Sequence, residues 1–332
     1  MTRLLATRRG LLGVALAVSS GAASPLHAAT GVPEAALLIA PGPQEGAGAR
    51  LAGEAVRGLA RGLVQAAALR FAVVGGPDGI TAANRFATSM PVEHPVLLLL
   101  PGLAAQALLV GDPRARFEPR LWPAVAGSLQ PAILAGRGAA ADQSVRLATP
   151  SPAAPETAAL LALEALGATG SAVVLPAGMS AEAAVAAGAA DAAVMTGPGA
   201  MERAAALGLT PWFAFDGPAG ARDPALPDLP ALGELLADPA APDLVAAVRA
   251  AGAALRIRGL LVLPALTASD SVALWRGAAR RWIEDEPEAA AAGTRLLAAQ
   301  QAADALATMC PQPEVALAYR EWLHRRLGWQ AG

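Results

Sequence analysis

The side chains that most often carry covalent or metal chemistry are scarce in this chain of 332 residues. There is one cysteine, Cys310, and there are three histidines, His27, His94 and His324. A thiol nucleophile needs a base beside it, and Cys310-Pro311 reads instead as a loop between two helices. No histidine pair has metal-ligand spacing, and no G-x-S-x-G elbow occurs. What does recur is small residues and hydroxyls in loops. The first such loop is Pro41-Gly42-Pro43-Gln44-Glu45-Gly46-Ala47-Gly48-Ala49; Gly79 with Thr81, Thr149 with Ser151, and Thr196-Gly197 follow along the chain. This is the chemistry of non-covalent capture. Helix N-termini present unpaired N–H groups and a positive dipole end, which hold an anion without a basic side chain. Small residues let the backbone approach a ligand. The expectation is therefore a binding protein, with no catalytic residue, no cofactor and no metal.

The first thirty residues read as an export signal. Thr7-Arg8-Arg9-Gly10-Leu11-Leu12 is a paired-arginine n-region of the twin-arginine kind, Leu11–Ala23 is a short apolar run, and Ala28-Ala29 offer small residues for a peptidase. An ordinary secretory signal containing Arg-Arg has the same pattern, so the route stays open. Either route predicts a periplasmic protein with a signal at residues 1–29. Mean hydropathy is +0.44, but the excess is mostly alanine, and beyond the signal no apolar run reaches the roughly 18 residues of a membrane span. Loss of Arg3, Arg8 and Arg9 takes the formal charge from −2 to about −5. A mildly acidic chain with scattered charges offers no basic stripe for nucleic acid. Arg280-Arg281 and Arg325-Arg326 read as solvated helix faces.

Strand-like runs alternate with helical ones. Strands are expected at 36–40, 71–74, 96–100, 145–148, 172–175, 192–195, 212–215 and 260–263. Helices are expected at 50–64, where Leu51, Ala55, Leu59 and Leu63 share a face, and at 155–166, opened by Pro155 and closed by Gly167. Ser180 reads as an N-cap for a short helix ending at Gly188. The alternation predicts an α/β protein with mainly parallel sheets. Three helices at 269–284, 294–307 and 313–327, with no strand between them, close the chain; Thr267 or Ser269 can cap the first. Proline-rich loops fall at 149–155 and 223–230, since proline cannot donate to a sheet ladder.

The second of those loops, Asp223-Pro224-Ala225-Leu226-Pro227-Asp228-Leu229-Pro230-Ala231-Leu232, resembles a segment of the Bug family, the extracytoplasmic solute-binding proteins of tripartite tricarboxylate transporters. Other blocks follow in the family's order: 35–60, 73–81 with Pro77-Asp78-Gly79, 181–199, Gly259–Ala265 and Pro311–Trp322. The resemblance spans nearly the whole mature chain. It implies a two-lobe Venus-flytrap fold of the periplasmic-binding-protein kind (type II-like), with the C-terminal helices packed on the first lobe. Lobe I is expected at 30–136 and 251–332, and lobe II at 137–250. The resemblance implies a monomer that captures one small-molecule solute in its cleft, usually a carboxylate, and delivers it to transporter membrane subunits. The candidate ligand contacts are Pro43, Glu45, Gly46 and Gly48 on one loop, Gly79 and Thr81 on the next, and Thr149 and Ser151 on the other lobe, with Thr196 added because it lies at a strand C-terminus, where open α/β sheets place their ligands. Gly46 and Gly48 serve either a ligand or a tight turn, and Thr81 either a ligand or a helix cap. The family's Thr/Ser-Asp pair is Gly48-Ala49 here, Glu45 adds a negative charge, and Pro150, Pro152 and Pro155 remove three donors. These departures favour a neutral or apolar ligand, a cation held by Glu45, or a degenerate pocket. A sensor or adaptor built on the same lobes is the second reading, and an exported hydrolase the third.

Overall fold

A computed structural model describes residues 34–65, 67–88, 95–139, 144–215, 222–236, 241–286 and 293–331. The export signal, His27 and His94 lie outside the described residues. In the first half the elements are β1 (Ala35–Pro41), α1 (Ala47–Gly62), β2 (Ala68–Val74), α2 (Ile80–Thr88), β3 (Val96–Leu100), α3 (Gly102–Val110), β4 (Ala124–Leu129), β5 (Ala132–Gly136), β6 (Val145–Thr149), α4 (Ala158–Ala165) and β7 (Gly170–Val174). They continue with α5 (Ala181–Ala186), β8 (Ala192–Thr196), α6 (Ala200–Ala206), β9 (Thr210–Ala214), α7 (Leu232–Leu235), α8 (Pro242–Arg256), β10 (Ile257–Val262), α9 (Ser269–Asp285), β11 (Arg295–Leu297), α10 (Ala299–Met309) and α11 (Pro313–Leu327).

Two sheets form, ordered β11-β4-β10-β3-β1-β2 and β7-β6-β8-β5-β9. Parallel pairing holds for β1 with β2 and β3, and for β6 with β7 and β8. The rest of both sheets is antiparallel, so they are mixed rather than mainly parallel. Each sheet is covered on both faces. The first carries α2, α3 and α10 on one side and α1 with α9 on the other. The second carries α4 and α8 on one side and α5 with α6 on the other. The α/β class is the one expected from the alternation of elements, and the two lobes are those the resemblance implied.

All eight expected strands are present. Three further strands went unread: β4, β5 and β11. The last occupies the start of the stretch expected to be a single helix at 294–307; Arg295–Leu297 pairs with β4 instead, and the helix begins at Ala299. Residues 132–136, expected with lobe I, form β5 of the second sheet, and the chain changes sheets at Gln130-Pro131. Ser180 caps α5 by accepting from the Ala183 N–H at 3.1 Å. The cap of α9 is Ala268, with no side-chain bond, while the Thr267 hydroxyl donates to the Pro264 carbonyl. Of the C-terminal helices, α9 and α10 back the first sheet as expected. The third, α11, reaches the second lobe: Val315, Tyr319, Trp322 and Leu323 complete its core.

The crossing between sheets sets the rest of the geometry. β4 ends at Leu129 and β5 begins at Ala132; the return is immediate, from α8 at Arg256 into β10 at Ile257. The two connections are bonded side by side: the Gln130 N–H donates to the Arg256 carbonyl at 2.8 Å, and Gln130 Nε2 donates to the Leu255 carbonyl at 3.0 Å. Arg256 is 1% exposed and its Nη2 donates to Asp223 Oδ2 at 2.6 Å; Asp223 is 9% exposed. Asp223 opens the proline-rich loop and also accepts from the Ala225 N–H. That loop is thus tied to the hinge by an ion pair sealed from water. Breaking a buried ion pair by removing one partner costs about 3–5 kcal/mol. Asp223→Ala should lower unfolding free energy by about that much in urea denaturation. A loss below about 1 kcal/mol would show the pair to be dispensable.

Candidate functional site

Parallel pairing places the C-terminal ends of β1, β2 and β3 together. β10 runs antiparallel to β3 and β4, with Ile257 paired to Leu129 and Leu260 to Leu100, so the crossing leaves lobe I at this same end. It enters lobe II where Ala132 pairs with Thr196, the C-terminal end of β8. The expected site residues therefore lie on the loop-bearing ends of both sheets, where open α/β sheets place ligands.

In lobe I the first loop is a compact turn. The Gly46 N–H donates to the Pro43 carbonyl at 2.8 Å, and Arg50 Nη1 to the Glu45 carbonyl at 2.7 Å. Pro43 and Glu45 are exposed. Gly46 caps α1 with no side chain in that role, so the first-turn N–H groups of Ala47, Gly48 and Ala49 have no partner inside the helix. A Cβ on Gly46 would come 2.8 Å from the Pro43 ring, and one on Gly48 2.8 Å from the Pro41 carbonyl oxygen, so both glycines are required by the turn itself. The second loop touches the first: a Cβ on Gly42 would sit 2.1 Å from the Gly75 oxygen. Gly75 has φ +74° and lies against the Thr81 side chain; Gly79, at φ +72°, lies against Pro101 at the end of β3. Just ahead of α2, Asp78 Oδ1 accepts from the Ile80 N–H at 3.3 Å, and Thr81 is exposed on the first turn. The sequence marked Asp78 as part of the second loop but gave it no role at the start of the helix.

In lobe II, Thr149 is 0% exposed. Its hydroxyl lies 2.9 Å from the Thr157 hydroxyl, and both hydroxyls converge on the Ser151 carbonyl, at 2.9 and 3.0 Å. Both are committed inside the 149–157 turn, while Ser151 is half-buried. Thr196 is half-buried beside the crossing; its carbonyl accepts from Arg203 Nη2 at 2.7 Å, and the next N–H, of Gly197, donates to the Pro131 carbonyl. The structure thus groups Pro43, Glu45, Gly46, Gly48, Gly79 and Thr81 on one rim, Thr149 with Ser151 on a second, and Thr196 at the hinge.

Two adjoining hollows flank the hinge. One, of about 160 Å³, is lined by Gln130, Asp223, Thr294 and Arg295 among others; the second, of about 310 Å³, by Pro198, Gly199, Met201 and Glu202. Pro131, Ala225 and Gly293 line both.

Across the lobes, Gln106 of α3 donates from Nε2 to the Ala153 carbonyl at 2.9 Å. Its Oε1 is buried without a partner, as are Glu156 Oε2 and the Tyr319 hydroxyl. Tyr319, on α11, is close enough to feel both Gln106 and Glu156. Desolvation holds the Glu156 carboxyl above the usual carboxylate range, against a smaller opposing bond from its own backbone N–H. The sign of the pH dependence follows. The unfolded chain loses the proton first, near pH 4, so stability is full below that and falls as pH rises toward the raised folded value. Glu156→Gln should therefore be more stable than the parent at pH 8 and indistinguishable from it at pH 4, read from urea midpoints. Equal midpoints at both pH values would rule out burial as the governing effect. Cys310, by contrast, is buried and its thiol is pushed up to about 12, chiefly by desolvation, which leaves it protonated and unreactive.

No family model matches this sequence, and no curated protein does. Solved structures do. A TctC solute-binding protein from Polaromonas superimposes with a TM-score of 0.64 at 14% identity, over 89% of this chain and 100% of that one. The periplasmic binding protein BugD gives 0.53 at 14% identity over 87% and 98%. MatC from Rhodopseudomonas palustris, solved with bound malate, gives 0.50 at 18% over 90% and 98%. The chain has the fold of the TctC and Bug solute-binding proteins. At these identities the likeness establishes the two-lobe architecture, and the ligand and partners are a separate matter. Among the described residues no helix is long and apolar enough to cross a membrane.

Proposed function

We propose that this protein is an extracytoplasmic solute-binding protein. It captures one small organic solute, a carboxylate or a related molecule, between its lobes and delivers it to membrane subunits of a tripartite tricarboxylate-type transporter. The observation that carries this reading is the crossing at Gln130-Pro131, which joins the loop-bearing ends of two complete α/β sheets. Such a joint lets a ligand that touches both lobes stabilise the closed arrangement. The uncapped start of α1 supplies N–H donors for an anion on one side. On the other, Ser151 and Thr196 remain partly accessible. Glu45 is exposed, so its charge does not have to be buried beside an anionic solute. The paired-arginine signal supports a periplasmic location, and no chemistry on the solute is proposed.

A second reading, a sensor or adaptor that keeps the lobes without a working pocket, is favoured by one observation. The Thr149 hydroxyl, which the resemblance would offer to a ligand, is spent within its own turn.

A thermal-shift screen of the mature protein separates the two. Dicarboxylates such as malate and adipate, tricarboxylates, amino acids, amides and aromatic acids would be tested at concentrations up to millimolar. Binding to the folded state stabilises by mass action, by about 2.7 kcal/mol at a hundred times Kd. A clear rise in Tm with one class is the expected outcome. No response across the panel would move the assignment to the sensor reading.

A further inference from the structure

Arg295 lines the smaller of the two hollows beside the crossing, and nothing in the chain bonds its head. Its Nε is buried without a partner, and among the described residues no ion pair or hydrogen bond reaches its guanidinium. Pairing with Leu129 fixes Arg295 at the end of β11 nearest the crossing. Strand alternation puts it on the same face as Leu297, which is fully buried, so its stem leaves β11 on the core side. A guanidinium keeps its proton in a protein, and a desolvated charge is normally paired or hydrogen-bonded. The neighbouring polar groups do not serve it. Asp223 is taken by Arg256 and by the Ala225 N–H, and Gln130 Nε2 by the Leu255 carbonyl. The Asp223 charge is thus balanced, and the charge left in the hollow is that of Arg295. An arginine turned inward on an edge strand also discourages strand pairing, but that role calls for no hollow beside it.

The place is distinct from the rim formed by the loops after β1, β2 and β3. In the order of the first sheet, β11 lies on the far side of the crossing strands β4 and β10. The walls come from both sheets. Gly293 and Arg295 belong to the start of β11, while Asp223 and Ala225 lie on the loop that follows β9. The two sides meet closely here: a Cβ on Gly293 would come 3.3 Å from Pro198, just past the end of β8. The second hollow continues over Pro131 and Ala225 to Met201 and Leu226, with Glu202 on its wall. Glu202 is exposed, and no described residue pairs its carboxylate.

We propose that these joined hollows are an effector site for an organic monocarboxylate, with the carboxylate held by Arg295 and an uncharged tail laid over Pro131 and Ala225. The planar fork of a guanidinium matches a carboxylate with two parallel bonds. The proline, alanine, methionine and leucine walls reward an apolar tail, which an inorganic anion lacks. Glu202 repels a second carboxylate at the far end, so a diacid is disfavoured. A ligand seated here touches both lobes at their joint and favours the lobe arrangement that keeps both contacts. Its effect on solute capture rests on the preceding reading; its binding does not.

Calorimetric titration of hexanoate, adipate and sulfate into the intact mature protein tests the site. Hexanoate should bind more tightly than adipate or sulfate. Arg295→Gln should weaken hexanoate by about tenfold or more, the loss of a charged hydrogen-bonding partner. Its urea midpoint should match the parent's, since the side chain bonds nothing in the chain. Glu202→Gln should narrow the gap between adipate and hexanoate. In hydrogen exchange on the parent, hexanoate should raise protection of 198–204 and 293–297 but not of 47–55 in α1; this readout decides even where a variant is unstable. Undiminished hexanoate binding in Arg295→Gln, sulfate binding as tight as hexanoate, protection of 47–55 alone, or no hexanoate binding at millimolar concentration would each overturn the site. A malate response that survives Arg295→Gln would leave solute capture standing without this site. Hexanoate binding lost in Arg295→Gln, beside a flat response to malate and the rest of the solute panel, would do the reverse.

Discussion

Two connections lying side by side hold this protein in its two-lobe form, and a buried ion pair fixes one of them. Leu129–Ala132 leaves the first sheet and Arg256–Ile257 returns to it; Gln130 bonds them through both its backbone and its side chain. Arg256 is buried at that seam and held by Asp223. Ion pairs sealed from water are seldom strong sources of stability, because desolvating two charges offsets their attraction. Their effect is to penalise every arrangement in which the partners part. Here this places the start of the 223–230 loop at the hinge, and that loop in turn sends the Pro230 carbonyl to the Ala214 N–H at the edge of the second sheet. The segment through which the sequence resembles solute-binding proteins is thus architectural.

How much could be read beforehand follows from burial patterns. β1, β3 and β10 are compact runs of branched and leucine side chains, and the helices between them carry clear apolar faces, so the alternation was legible. β4 and β5 were not. Both are buried at every position, and a strand covered on two faces loses the period-two signal that would reveal it. Their sequences, Ala-Val-Ala-Gly-Ser-Leu and Ala-Ile-Leu-Ala-Gly, are too rich in alanine and glycine for propensity to compensate. β11 was hidden differently: its three residues pair with β4 at the edge of the sheet, and tertiary context overrides the helical pattern that follows.

The candidate site divides along the same line. Loops with glycine and proline announced themselves, and the turns they form could be anticipated. Whether a side chain in such a loop faces outward could not. Thr149 and Thr157 are eight residues apart, and their mutual bond depends on how the turn folds back. Thr81 is exposed on the first turn of α2, and the side chain that bonds the start of that helix is Asp78. The cluster of Gln106, Glu156 and Tyr319 joins residues whose only local signal was Gln106, a polar residue in an apolar helix.

The position of α11 bears on the order in which this protein can be built. Lobe II is drawn from the middle of the chain, yet Tyr319 and Leu323 are sealed inside its core, Trp322 Nε1 donates to Glu164, and Arg326 reaches Glu164 and the Gly170 carbonyl. A ribosome that has made all of 132–256 has therefore made a lobe with one wall missing. That lobe must wait, with apolar surface exposed, until a helix encoded some sixty residues later arrives to close it. The two lobes are separate in space and inseparable in folding time.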